Sequence, residues 1–226
     1  MKRLVVVGMG PGDPELFTLK GARVLREAPV VFYPARVPGE RGAALEIASK
    51  FIPPTTPRVE LVFPMVRERG ALEKAWRANA RIIHSHEAPW GAFVTLGCPQ
   101  VYSTFYHLLP FLKGVQIEVI PGVTAFSACS ARLREPLVLG GEAMAVFSAA
   151  HLEEVPWEIL GEFSTVVFMK IPRAAGDLRA LLDGVTQRGF KRAFYLSRCG
   201  MEGEVVTEGL PPSPQGYLAL LIFRKG

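Results

Sequence analysis

The chain has 226 residues, 49% of them hydrophobic and 21% charged. That excludes a disordered tail and suits one large or two small domains with their own cores. No run of eighteen apolar residues occurs, and the opening Met1-Lys2-Arg3 meets Gly8 and Gly10 too soon for a secretory leader, so neither a membrane span nor an export signal is expected. The formal charge of +5 falls in the first half: residues 1–120 hold 15 Lys/Arg against 10 Asp/Glu, and residues 121–226 hold 11 of each. A basic half suits a polyanionic partner, either nucleic acid or a small molecule rich in carboxylates, and ordinary solvated helix faces account for it equally well.

Taken in order, the first half alternates short β-branched runs with amphipathic stretches. Residues 3–7 read as a strand, and Thr18 is placed to cap a helix reaching Glu27, with Leu19, Ala22 and Leu25 at helical spacing. Strands follow at 30–33, 59–62, 92–96 and 115–120, separated by helices at 43–51, 72–83 and 102–112. This alternation predicts a mainly parallel sheet with helices on its faces. Pro121-Gly122 closes that region, and a helix pattern starts near Thr124. Strand patterns recur at 145–147, 165–169, 193–197, 205–206 and 218–223, the last preceded by a stiff Gly/Pro-rich connection at 209–214. The expected plan is two α/β domains, 1–120 and 121–226, with the active-site cleft between them.

Three cysteines, Cys98, Cys129 and Cys199, are odd in number, widely spaced and outside any C-x-x-C pattern. That predicts neither a disulfide framework nor structural zinc. His84 and His86 form an H-x-H pair with no third ligand in view, so no metal site is expected; both should be solvated at a helix end.

Four stretches carry chemistry. Gly8-Met9-Gly10-Pro11-Gly12-Asp13 follows the first strand, where glycines permit a sharp turn or close approach to a ligand. A dinucleotide fingerprint needs glycine where Asp13 stands. The ribose-binding acid is also absent, since Tyr33-Pro34-Ala35-Arg36 occupies its place; Arg36 alone would suit a 2′-phosphate. The second stretch, Leu96-Gly97-Cys98-Pro99-Gln100-Val101-Tyr102-Ser103-Thr104, leaves a strand and enters a helix, the place where α/β sheets collect ligands. Capping by Ser103 or Thr104 explains the same residues without a ligand. The third, Pro121-Gly122-Val123-Thr124-Ala125, repeats the strand–turn–hydroxyl–helix order, and the fourth is the apolar strand ending at Met169.

In order and spacing, these four resemble the tetrapyrrole (corrin and porphyrin) methyltransferase family. Its marks are an N-terminal G-x-G-P-G-D, a central G-D-P, an I-P-G-[VI]-[TS]-[SA] turn and a later strand ending in Met. The resemblance runs from Gly8 to the final strand. Leu61-Val62-Phe63-Pro64-Met65, Val101-Tyr102-Ser103-Thr104-Phe105 and residues 121–132 look most like the branch that methylates precorrin-2 at carbon 20 on the way to cobalamin. Other branches, such as the uroporphyrinogen III methyltransferases, are the alternative, followed by RNA or protein methyltransferases and non-catalytic binders of the same fold.

The resemblance implies S-adenosylmethionine as methyl donor, S-adenosylhomocysteine as product, and the two-domain fold of the tetrapyrrole methylases. It implies cofactor contacts from Pro11, Leu96, Gly97, Cys98, Val101, Thr124, Ala125, Met169 and Cys199, with Tyr102, Ser103 and Thr104 towards the tetrapyrrole. It names no catalytic side chain and no metal, and it implies a cytoplasmic homodimer with no nucleic-acid or membrane partner. Two positions depart from the family pattern. Cys98 replaces the usual Asp of the central turn, exchanging a carboxylate for a much weaker hydrogen-bonding thiol, and Pro29 stands where Asp is common.

Overall fold

The structure is a computed structural model that describes residues 1–66, 68–171, 175–211 and 218–225. The chain divides into two compact units, Met1–Ala125 and Phe126–Gly226. Among the described residues, no helix is long and apolar enough to cross a membrane.

The first unit contains β1 (Arg3–Gly8), α1 (Leu19–Glu27), β2 (Val31–Ala35), α2 (Ala43–Ala48), β3 (Arg58–Val62), α3 (Arg69–Ser85), β4 (Trp90–Thr95), α4 (Phe105–Leu108) and β5 (Gln116–Ile120). Its five strands are all parallel, in the order β3-β2-β4-β1-β5. Both faces are covered, so Leu4, Val5, Val6 and Val7 of β1 are all fully buried, and the strand reads as a continuous apolar run. On one face, Leu4, Val6, Phe32, Leu61 and Phe93 pack with Ala80 and Ile83 of α3 and Phe105 and Leu108 of α4.

The helix starts follow from their caps. The Thr18 side chain accepts from the Gly21 amide at 3.1 Å and opens α1 where expected. α3 begins three residues earlier than its apolar spacing predicts, because the Glu68 carboxylate accepts from the amides of Gly70 and Ala71. The single helix expected at 102–112 is broken. Tyr102 has φ 50°, α4 lasts only from Phe105 to Leu108, and a 3₁₀ turn takes over at Leu109–Phe111. Pro110 accounts for the break, since it lacks the amide that a continued α-helix would use.

The second unit contains α5 (Ala125–Leu133), which starts on the last residue of the first unit, then β6 (Met144–Ser148), β7 (Thr165–Met169), α6 (Ala175–Thr186), β8 (Arg192–Ser197), β9 (Val205–Glu208) and β10 (Ala219–Arg224). Its sheet runs β6-β7-β10-β8-β9 and is mixed: β6 and β7 are parallel, while the last strand enters the middle antiparallel to both neighbours. Phe168 lies at the core of this unit with Phe147, Trp157 and Phe223 around it. α6 is absent from the sequence expectations, although Leu178, Leu181, Leu182 and Val185 carry helical spacing. Of the stiff connection at 209–214, residues 212–214 lie outside the described residues.

One sequence expectation fails outright. Cys129 on α5 and Cys199 after β8 form a disulfide across 70 residues, with Cα atoms 5.5 Å apart. Spacing rules read local patterns, whereas this pair meets only because α5 lies beside the turn that leaves β8. Cys98 is a free, buried thiol. Of the two histidines, one is less solvated than expected. His84 is exposed, with Nε2 3.1 Å from the Phe111 carbonyl; His86 is half-buried, and its Nδ1 accepts from the Ala88 amide.

Candidate functional site

The strand order places a reversal of chain direction between β1 and β4. From β1 the chain leaves through α1 towards β2 and β3 on one side, whereas from β4 it leaves through α4 to β5 on the other. Neighbouring strands whose connections depart in opposite directions open a gap beyond their carboxyl ends, and ligands of open α/β sheets bind in such gaps. The glycine-rich turn after β1 and the Gly97-Cys98-Pro99 turn after β4 both lie there, with the Pro121-Gly122 turn after β5 on the flank.

These turns touch backbone to backbone. The Met9 amide donates to the Thr95 carbonyl at 2.8 Å, and Gly10 and Gly97 exchange two hydrogen bonds of 3.2 and 2.7 Å. A Cβ at Gly122 would lie 2.2 Å from the Gly97 carbonyl oxygen and 3.1 Å from the Gly10 nitrogen. One at Gly8 would lie 2.5 Å from the Gly122 nitrogen and 2.7 Å from Cδ of Pro99. Only hydrogen fits at either position. Gly97 differs: its φ is 73°, and a Cβ there would have no atom within 4 Å. Its carbonyl is locked into the junction while its Cα faces open space.

Around this junction, Pro11 and Cys98 are buried, whereas Leu96, Gly97, Val101, Thr124 and Ala125 are half-buried. The Val101 amide donates to the Cys98 carbonyl at 3.1 Å and closes the central turn. Asp13 is committed locally, since its carboxylate accepts from the Glu15 amide at 2.9 Å. Arg36, the residue that would suit a 2′-phosphate, pairs instead with Glu40 through Nε at 2.8 Å. Of the hydroxyl pair entering α4, Ser103 is the cap: its Oγ accepts from the Phe105 amide at 3.2 Å and lies 3.3 Å from Oγ1 of the buried Thr95. Thr104 makes no side-chain cap bond, and Tyr102 is exposed.

Met169 and Cys199 lie at the same end of the second sheet, on either side of β10. Met169 ends β7 opposite Leu220 of β10, and on the other side of β10 Ala219 faces Ser197, two residues before Cys199. The Arg198 amide donates to the Leu218 carbonyl at 3.0 Å and the Ala149 amide to the Met169 carbonyl at 2.7 Å. Met169 is half-buried. The Cys199 sulfur belongs to the disulfide, so at this edge that residue offers backbone. Lys170, unremarked in the sequence, follows Met169 with φ 58°, and burial pushes its ammonium below the usual lysine range. Gly8 and Gly122 were likewise not singled out; the G-x-G and Pro-Gly patterns mark turns but not their mutual approach. Among the described residues, His151, Glu153 and Glu154 could bring three metal-ligand atoms together, but all three are exposed.

A parallel α/β unit with glycine-closed turns beyond β1, β4 and β5, followed by a unit with a mixed sheet, defines a ligand-binding α/β protein of two units. The chain belongs to the family of tetrapyrrole (corrin/porphyrin) methylases, whose model matches residues 3–211. It is similar to the probable cobalt-precorrin-2 C(20)-methyltransferase of Methanocaldococcus jannaschii, with 33% identity over 75% of this chain and 73% of that protein. It is also similar to the precorrin-2 C(20)-methyltransferase of Sinorhizobium sp, with 29% identity over 91% of this chain and 87% of that one. The crystal structure of uroporphyrin-III C-methyl transferase from Thermus thermophilus, complexed with S-adenyl homocysteine, shares the fold. Its TM-score is 0.72 at 24% identity, covering 98% of this chain and 92% of that one. Membership places the chain among methyltransferases.

Proposed function

We propose that this chain transfers a methyl group from S-adenosylmethionine to the C20 meso carbon of precorrin-2, or of its cobalt form, in cobalamin biosynthesis. The observation that carries the reading is the open face of Gly97 above a junction closed by Gly8, Gly10 and Gly122. Among the described residues, an atom placed at the Cβ position of Gly97 meets nothing within 4 Å, so a ligand can approach the backbone there. The acceptor follows from the two relatives named for C20 methylation, which the chain matches over most of its length.

On this reading, backbone at Leu96, Gly97 and Cys98, with Val101 and the small residues Thr124 and Ala125, holds the donor on the first unit. Met169 and the backbone of Cys199 contribute from the second, and Pro11 from the loop after β1. Bound there, S-adenosylmethionine supplies an electrophilic methyl on a sulfonium. The conjugated meso carbon is itself the nucleophile: it takes the methyl as the sulfonium–methyl bond breaks to leave S-adenosylhomocysteine, then sheds its own proton, while the chain's residues align carbon and methyl and exclude water. Tyr102, Ser103 and Thr104 lie on the tetrapyrrole side, with Ser103 acting through its bonds to Thr95 and Phe105. The acetate and propionate arms call for Arg and Lys of the basic first half. The protein is read as a cytoplasmic homodimer without nucleic-acid or membrane partners.

The deciding experiment incubates the protein with methyl-labelled S-adenosylmethionine and, in separate reactions, precorrin-2, its cobalt form or uroporphyrinogen III, and locates the new methyl by NMR. Label at C20 is expected. Label entering only uroporphyrinogen III, or none entering any tetrapyrrole, would overturn the assignment.

The thiol at the central turn offers a smaller test. If backbone holds the donor there, Cys98→Ala should leave affinity for S-adenosylhomocysteine within about 1 kcal/mol, the scale of one neutral hydrogen bond. Cys98→Asp should remain active. A hundredfold loss of turnover in Cys98→Ala, accompanied by loss of a basic limb in the pH–rate profile, would instead make the thiol a participant.

A further inference from the structure

α5 begins where the Pro121–Thr124 turn ends, yet it is weakly packed. Of its nine residues only Cys129 and Ser130 are buried; Phe126 and Leu133 are half-buried. What fastens it lies on one face. Cys129 is bonded to Cys199, and one helical turn further on the Arg132 guanidinium pairs with Glu204 at 3.2 Å. Glu204 also accepts from the Gly200 amide, next to Cys199. Residues i and i+3 share a helix face, so the disulfide and the ion pair grip the same turn between β8 and β9.

We infer that the Cys129–Cys199 disulfide is a redox site that controls how tightly the protein holds its methyl donor. Reduction by a dithiol passes through a mixed disulfide and leaves two cysteine thiols, while the reductant becomes a disulfide. Both sulfurs are buried, so exchange waits on local opening of the helix. Once cut, α5 keeps a half-exposed ion pair, a weak link in water, and its first turn, which carries Ala125 directly after Thr124, is no longer pinned to the second sheet. Disulfides in a reducing compartment are typically transient and redox-sensing, which suits this role. The inference rests on the proposed donor site for its effect on affinity, and on the fold alone for the behaviour of α5.

The test uses the full chain purified without reductant. Thiol alkylation after denaturation should find one reactive cysteine before treatment with dithiothreitol and three after. In the reduced protein, amides 126–133 should exchange hydrogen at least tenfold faster and remain less protected than those of β7 and β10. The dissociation constant of S-adenosylhomocysteine should rise about tenfold, and oxidation should restore it. Cys129→Ala should reproduce the reduced behaviour with or without dithiothreitol. Three reactive thiols in air-oxidised protein would overturn the proposal, and so would unchanged exchange and affinity on reduction. Absence of S-adenosylhomocysteine binding in both redox states, with redox-dependent exchange retained, would refute the donor site and the control of affinity while leaving the fastening of α5 established.

Discussion

Gly122→Ala should loosen the first unit and abolish high-affinity binding of S-adenosylhomocysteine. The added methyl would sit 2.2 Å from the Gly97 carbonyl oxygen, 3.0 Å from the Gly8 carbonyl carbon and 3.1 Å from the Gly10 nitrogen. All three are backbone atoms, so no rotamer change relieves the overlap; the turns after β1, β4 and β5 must part. Overpacking a tight interior costs about 1–3 kcal/mol and occasionally more, and rigid surroundings put this site at the upper end. A fall of roughly 3 kcal/mol in stability is expected, together with at least a hundredfold loss of affinity. Urea unfolding followed through Trp76 and Trp90, both in the first unit, reads the first effect, and calorimetry reads the second. Gly141→Ala is the control, since a Cβ there meets nothing within 4 Å. Wild-type stability and affinity in Gly122→Ala would mean that the three turns do not close as described.

Removing the bridge should have the largest effect in the second unit. The disulfide closes a loop of 70 residues, and constraint of the unfolded chain over that length is worth about 4 kcal/mol on the loop-entropy model. The double variant Cys129→Ala, Cys199→Ala should therefore melt roughly 10 °C below the oxidised protein, and oxidised protein treated with dithiothreitol should approach the same midpoint. Trp157 belongs to this unit and packs against Phe168, so its fluorescence follows the transition. An unchanged midpoint would show that the bridge constrains nothing that folding does not already fix.

Much of the scaffold was legible in the residues themselves. β1 shows as Arg3 to Val7, α1 is announced by its Thr18 cap, and β7 appears with the observed bounds, because alternation, capping and apolar runs are local signals. Errors arose where a distant or unusual partner decided the outcome. A glutamate caps α3 in place of the usual short polar residue, Pro110 and the left-handed Tyr102 cut an expected helix to one turn, and the central antiparallel place of β10 has no local mark. The candidate site divides in the same way. The motifs at Gly8–Asp13, Leu96–Thr104 and Pro121–Ala125 were visible as turns, but their convergence was not.

The sequence by itself determined the alternating α/β plan, the turns that carry the site and the resemblance that joins them to tetrapyrrole methylation. Each of these depends on residue types within a few positions of one another. Only the tertiary structure decided that Gly8, Gly10, Gly97 and Gly122 meet at van der Waals distance or closer, that Ser103 is spent on Thr95 and α4, and that Cys129 and Cys199 are one bond. These depend on strand order and on the packing of α5, which bring together atoms that chain spacing leaves unrelated.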